Sequence, residues 1–297
     1  MPLSTTKIDV NRSTAGVALP SVLVDTVIQG ITENSAVMSL ANRMVIPGSG
    51  VTMNVITGDP TPAWTAESTE KTVSKPTFKN KVMQPYKLAV IVPFSDQFRR
   101  DESALYDAIV ARVPNALAKY FDQTVLFGDN NPGTNFDNLS TANAIDVQAD
   151  PYGGLVSAIT AIAGEGGNAN GIVMSPQGNG IVMSARYDSG AGEPVFPGYS
   201  AGQPLFGIPT LTRSAAYKAG TSAANTVGFI GDWSKAYVGV VEDIKVEYSN
   251  QATLNDGTNS INLWQRNMFA LRCEMEVGFL VTDDGYFKRL TDTYPAA

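Results

Sequence analysis

The chain has 297 residues, 43% of them hydrophobic and only 16% charged. That is enough for about two domains, with a surface drawn largely from Thr, Ser, Asn and Gln. It contains no histidine and one cysteine, Cys273. This excludes Ser-His-Asp and Cys-His nucleophilic systems, imidazole acid–base catalysis, His-ligated metals, cysteine-based zinc or iron–sulfur sites and an intrachain disulfide. A net charge of −7 argues against wrapping nucleic acid on a broad basic surface.

Residues 1–18 show neither helical nor strand period and read as an extended arm. They also lack a basic segment followed by an apolar run, and no later stretch reaches the roughly 18 apolar residues of a bilayer span, so the expectation is a soluble, unsecreted chain. Pro20 can open a helix carrying Val24, Val27, Ile28 and Ile31, continued by Val37, Met38, Leu40 and Ala41. Strand-like segments follow at Val51–Thr57 and Lys81–Ser95. In the second, Val82, Gln84, Tyr86, Leu88, Val90, Val92 and Phe94 share a face, and the two segments read as hairpin partners. The intervening Gly58–Asn80 is too long for a tight turn and carries Trp64 and Phe78, aromatic side chains that imply a covering partner surface.

From Ser103 to Phe127, Leu105, Ile109, Val113, Leu117, Tyr120, Phe121 and Val125 recur at helical steps, predicting a helix roughly 35 Å long, bent at Pro114. A second α/β region over 150–255 holds a helix near Leu155–Ala163, a strand at Gly171–Ser175, a helix from Pro176 and strands at Thr226–Ile230, Ala236–Val241 and Ile244–Tyr248. The loop Asp188–Gly207 runs through it. In Phe269–Val281 the odd positions are apolar, while Arg272, Glu274 and Glu276 point the other way. Such a strand spans roughly 40 Å, against a usual 17–20 Å. Asp283-Asp284-Gly285 then signals a hairpin, with Tyr286–Leu290 returning beside it.

Catalytic motifs are thin. Gly198-Tyr199-Ser200-Ala201-Gly202 fits a nucleophile elbow but lacks the preceding strand and the histidine. Gly164, Gly166 and Ala169 follow a helix and precede a strand, the reverse of the dinucleotide-binding order. Asp129-Asn130-Asn131 and Asn255-Asp256-Gly257 lack EF-hand spacing and read as turns. An arm, a projecting loop and an overlong strand without a catalytic constellation favour an assembling structural protein.

The order of these parts resembles the major capsid proteins of tailed bacteriophages with the Hong Kong 97 fold. The likeness runs from Leu19-Pro20 through Ala63-Trp64-Thr65-Ala66-Glu67, Ser74-Lys75-Pro76-Thr77-Phe78, Lys87-Leu88-Ala89-Val90 and Val92-Pro93-Phe94-Ser95. It continues at Asp101, Asp122, Leu126-Phe127-Gly128-Asp129, Leu205-Phe206-Gly207-Ile208-Pro209 and Gly231-Asp232-Trp233, and ends in Arg266-Asn267-Met268-Phe269-Ala270-Leu271-Arg272-Cys273-Glu274. It implies an α+β capsid fold divided into an N-terminal arm (1–18), a first peripheral part (19–50), an extended loop (51–95), a peripheral domain with spine helix (96–149), an axial domain (150–255) and a returning peripheral strand (256–297).

The implied function is a major capsid protein that self-assembles as pentamers and hexamers into an icosahedral head around double-stranded DNA, without sequence-specific binding. Expected partners are further copies of the chain, with portal, scaffold and decoration proteins also in view. The expected location is the virion, assembled in the host cytoplasm, and no cofactor, metal or membrane is implied. Trp64, Glu67, Phe78, Arg272, Glu274 and Glu276 would lie at subunit interfaces. Some members form a Lys-Asn isopeptide bond between subunits. By spacing, Lys71 falls at the donor position, Asn267 at the acceptor and Glu274 at the proton-accepting helper, with Lys75, Lys79 and Lys81 as competing donors. Interfacial ion pairing by the strand charges is the alternative. An encapsulin-like cargo compartment of the same fold and a carboxylate-dependent hydrolase remain as other functional readings.

Overall fold

The computed structural model describes residues 34–58, 60–101, 109–187, 192–220, 224–255 and 260–292. The expected arm and the Pro20 helix stripe lie outside them. The described chain begins with helix α1 (Ala36–Leu40), capped by Ser35, whose Oγ accepts from Met38 N. Strand β1 (Asn42–Val45) leads to the hairpin β2 (Val51–Gly58) and β3 (Thr77–Met83), in register from Val51↔Met83 to Gly58↔Thr77. Gly50 enters β2 with φ 81°, and a Cβ there would lie 2.5 Å from the Met83 carbonyl oxygen, so the turn requires glycine.

The hairpin exists, but its second limb is 77–83 and not 81–95. The chain breaks at Gln84-Pro85, where Gln84 N donates to Asn135 O, and β4 (Tyr86–Ser95) starts afresh. The shared face expected from Val82 to Phe94 therefore fails at its start: Val82 is 42% exposed and its neighbour Met83 is buried. From Tyr86 onward the alternation holds.

Helix α2 (Asp96–Asp101) follows, and α3 (Val113–Phe127) is the long helix. The expected helix from Ser103 is not continuous. Residues 109–110 are helical, Ala111 and Arg112 turn, and Pro114 sits in the first turn of a new helix, where a missing N–H costs nothing. Proline starts α3 and does not bend it, leaving a helix about 22 Å long. It stops at Gly128, φ 69°, whose N–H donates to Thr124 O.

The second region holds its expected α4 (Pro151–Gly164) capped by Asp150, β6 (Gly171–Met174), α5 (Pro176–Ser184) capped by Ser175 and β8 (Thr226–Gly231), with two strands the sequence did not signal, β5 (Asn143–Asp146) and β7 (Thr210–Thr212). The two strands expected after β8 are one, β9 (Ala236–Ser249). Register shifts opposite Glu274–Val277 absorb the extra residues as a bulge, so Glu242-Asp243 does not end the strand. A short hairpin, β10 (Thr253–Asn255) with β11 (Ser260–Asn262), precedes the long strand β12 (Met268–Val281), and β13 (Phe287–Thr291) ends the described chain.

Two larger sheets, β1-β9-β12-β4 and β5-β13-β8-β6-β7, carry most of the strands, while β2-β3 and β10-β11 form two-stranded sheets of their own. β13 does not return beside β12 as the Asp-Asp-Gly signal suggested. A short 3-10 turn at Asp284–Tyr286 redirects it to pair with β8 and β5 in the other sheet. The chain thus crosses between sheets at 231–236 and again at 281–287, and the crossings are bonded by Asp232 N to Tyr286 O and Thr282 N to Lys235 O, each 3.0 Å. Trp233 fills the joint: its Nε1 donates to Gly171 O at 3.0 Å and its ring meets Phe287 edge-on. Asp232 accepts from Asn168 N, Asn170 Nδ2 and Ser234 N. One core joins α1, α3, Phe279 of β12, Phe229 of β8 and Phe287 of β13 across this joint.

Candidate assembly surfaces

The β2–β3 hairpin has a fixed base and an uncovered tip. At the base, Met83 is fully buried with Ile46 and Leu280. Lys81 Nζ donates to Asp137 Oδ2 at 3.0 Å and Val281 O at 2.6 Å, and the same Asp137 oxygen accepts from Val281 N. Beyond Gly58, residues 60–76 form no strand; Pro60, Pro62 and Pro76 deny donors to any ladder. Trp64 is 105% exposed, Val73 88% and Phe78, on β3, 63%. Glu67 and Lys71 are exposed between them. Exposed apolar side chains of this kind, held out on a braced hairpin, suit contact with another surface.

The outer face of β12 carries the expected charges, and they are already paired within the chain. Arg272 bonds Glu247 across the sheet and lies 3.5 Å from Glu274, Lys245 bonds Glu247, and Lys87 stands 3.8 Å from Glu276. Hydrogen bonds from Lys245 and Arg272 hold the Glu247 carboxyl below its usual range. The inner face is apolar, and Cys273 there is buried; burial, with Glu274 nearby, pushes its thiol up to about 11. An inert structural cysteine follows.

Asn267 occupies the corner before β12 in the left-handed region, φ 52°, and its carbonyl accepts from Asp96 N at 3.0 Å. Glu274 lies seven residues further along the strand, about 23 Å at 3.3 Å per residue, and Lys71 sits on the loop. The single chain makes no hydrogen bond or ion pair among Lys71, Asn267 and Glu274. Of the competing lysines, Lys81 is committed to Asp137 at the hairpin base.

One polar residue that the resemblance names without a role proves to be a buried site. Asp122, on the buried stripe of α3 between Ala118 and Leu126, accepts from Ser35 Oγ at 2.6 Å, Ala36 N at 2.8 Å and Val37 N at 3.3 Å. It satisfies the open end of α1 and ties the N-terminal segment to α3. Burial outweighs these bonds and raises its pKa to about 6. The legible trace was an aspartate at i+4 and i−4 from apolar residues, plus a serine preceding a short apolar run.

Two of the rejected motifs are accounted for structurally, while Asp256 and Gly257 lie outside the described residues. Tyr199 of the glycine-rich 198–202 loop donates its hydroxyl to Asn179 Oδ1, and Asp129 pairs with Lys218. Among the described residues no group of His, Cys, Asp or Glu could hold a metal, and no helix is long and apolar enough to cross a membrane.

Comparison with known proteins identifies this architecture. The family model described as "Phage capsid family" matches residues 15–292. The chain is 26% identical to the probable major capsid protein gp17 of Mycobacterium phage D29 over 275 residues, 88% of this chain and 85% of that one. It superposes on a solved chain of Mycobacterium phage Adephagia with a TM-score of 0.74 at 23% identity, covering 89% and 92% of the two chains. It also superposes on the capsid of an empty GTA particle determined with C5 symmetry, with a TM-score of 0.63 at 14% identity over 96% and 95%. The encapsulin-like and hydrolase readings gain nothing from these likenesses. The chain belongs to the phage capsid family and is a structural shell protein, not an enzyme.

Proposed function

We propose that this chain is the major subunit of an icosahedral phage head, assembling through pentamers and hexamers, with the β2–β3 loop of each copy lying across a neighbour. The observation that carries the reading is the uncovered Trp64 on a hairpin whose base is locked into the core. In this reading 1–18 is the arm and 51–95 the extended loop with the strand behind it. Residues 96–149 and 256–297, with 19–50, make the peripheral domain. Residues 150–255 make the axial domain, from which β9 reaches across to pair with β12. The acidic balance suits a closed wall that contains double-stranded DNA without gripping it. Assembly takes place in the host cytoplasm, and a portal and a scaffold complete the head.

The same shell gives the Lys71–Asn267 pair a use. Lys71 Nζ, in neutral form, attacks Asn267 Cγ of a neighbouring copy; Glu274 of another copy takes a proton from the attacking nitrogen and returns it to the amide nitrogen, which leaves as ammonia. Glu274 must first give up Arg272. Two features support this assignment: Lys71, unlike Lys81, lies on the uncovered loop, and Asn267 stands at an exposed corner.

Negative-stain electron microscopy of the assembled protein, with a denaturing gel of the same sample, tests both statements. Closed shells are expected, with a ladder of covalent multimers that Lys71→Ala, Asn267→Ala and Glu274→Ala each abolish. Shells that dissolve to a single monomer band remove the cross-link, and a chain that stays monomeric beside its own scaffold removes the shell.

A further inference from the structure

One carboxylate gathers the start of the described chain. Asp122 of α3 is 1% exposed, and it accepts from three consecutive residues, through Ser35 Oγ, Ala36 N and Val37 N. Ser35 Oγ in turn accepts from Met38 N, so carboxyl and helix cap form one polar unit. A helix as short as α1 has no stability of its own in water. Its place therefore depends on this unit and on the burial of Ala36, Val37 and Met38 in the core shared with α3.

The charges around this carboxyl can be followed element by element. α1 brings no ionisable side chain, and Lys119 of α3 lies on the exposed face of its helix. On the inner face of β12, burial keeps Cys273 protonated up to about 11. β4 meets the opposite side of α3, along Leu117, Tyr120 and Thr124. From the segment after β7, Arg213 donates Nε to Asn34 O at 2.8 Å and Nη1 to Thr212 O at 2.9 Å, while Lys218 beyond it pairs with Asp129. The Arg213 charge favours the ionised carboxyl, as do the three hydrogen bonds, but burial opposes them and prevails. When residues 34–40 leave the body, Asp122 meets water and its carboxyl returns to the ordinary range. The docked form thus keeps a proton that the open form gives up.

We propose that Asp122 is a proton-operated latch on the N-terminal segment: protonated, it keeps α1 seated on α3, and ionised, it lets residues 34–40 open more often while α3 and the sheets stay folded. The latch governs the point at which residues 1–33 join the described body. It stands on the single subunit and does not depend on the shell reading. The docked carboxyl is the one with the raised value, so docking is strongest below the ordinary 3.8, weakens as pH rises toward 6 and stays weak above it.

Hydrogen exchange of the full-length wild-type subunit, corrected for intrinsic rates, tests the latch. The amides of α1 should exchange well ahead of those of α3 at every pH. Their opening should be about tenfold more frequent at pH 7.5 than at pH 5, levelling off above pH 6. Asp122→Asn should remove this pH dependence. Arg213→Met should move its midpoint to higher pH, because the cation that favours the ionised form is gone; a residue with a merely structural role would change the rate and leave the midpoint in place. Opening of α1 that is flat with pH, or that grows on acidification, overturns the latch. So does exchange of α1 and α3 in step, since the segment then opens only when the whole subunit unfolds. If Asp122→Asn does not fold, the wild-type pH series with α3 as its reference decides.

Discussion

The two ends of the β2–β3 hairpin belong to different molecules in their physics. At the base, Met83 is completely buried and Lys81 is fixed by Asp137 and a β12 carbonyl, so the residues are explained by this chain. At the tip, Trp64 and Val73 stand in water and nothing in the fold accounts for their chemistry. In the proposed shell, sequence that looks wasteful in one chain would be read by another, and the braced base fixes the root of the tip. Substitution at the two ends should therefore separate folding from assembly. Met83→Ala leaves a cavity among Ile46 and Leu280 and is expected to destabilise the isolated subunit by about 2–5 kcal/mol. Trp64→Ala should change subunit stability by no more than about 0.5 kcal/mol while impairing shell formation. Denaturant melts of both subunits beside particle yields make the check, and equal loss of stability in the two variants would break the contrast.

A second contrast lies between Asp122 and the carboxylates of the outer sheet face. Burial holds the Asp122 carboxyl at about 6, above its ordinary 3.8, despite the donors of Ser35, Ala36 and Val37. Between those values the folded chain binds a proton that the unfolded chain does not. Its contribution is therefore fully present below pH 3.8 and is lost as pH rises through 6. The shift corresponds to about 3 kcal/mol. Relative to Asp122→Asn, the wild-type subunit should gain stability by up to that amount between pH 7.5 and 4. Paired melts of the two proteins across this range test the sign; a wild type that loses ground on acidification would mean that the hydrogen bonds, not burial, dominate.

What the sequence disclosed follows from which forces are local. β12 was legible in full because it is flanked by strands on both sides and its inner face alternates without interruption from Phe269 to Val281. The same rule misled at 81–95, where the alternation continues on paper through Gln84-Pro85 although Val82 and Met83 have exchanged faces. Helical spacing likewise ran unbroken through Ala111-Arg112 and concealed that Pro114 begins a helix. The destination of β13 depends on the crossing beside Trp233, a tertiary fact with no local trace. Among candidate contact residues, Trp64 and Phe78 were legible because aromatics on a long loop conflict with exposure. Asp122 was not, because a carboxylate in a helix is ordinarily solvated and only its distant partner, Ser35, reveals its burial.

The lysine at the hairpin base should show a smaller effect than either core substitution. Lys81→Met keeps the aliphatic stem but removes the ammonium from Asp137 and Val281 O, with an expected cost of about 1–2 kcal/mol. Hydrogen exchange should localise it: faster exchange of β2 and β3 amides with α3 unchanged places the brace at the base. Uniform acceleration would instead mean that the hairpin is part of the global folding unit.

The smallest effect is expected on the outer face of β12. Arg272 is 42% exposed at its side chain and Glu247 38%, so water and salt screen their bond, and an exposed pair of this kind adds little to stability. Arg272→Ala should therefore leave subunit stability nearly unchanged, with the residual difference disappearing at high salt. If a neighbour covers this face in the proposed shell, the same substitution acts differently, because the screening water is removed, Glu274 loses its cation and Glu247 keeps only Lys245. Shell yield falling while subunit stability holds would place the charged ladder in an interface beside the hairpin tip, and unchanged yield would leave it facing solvent.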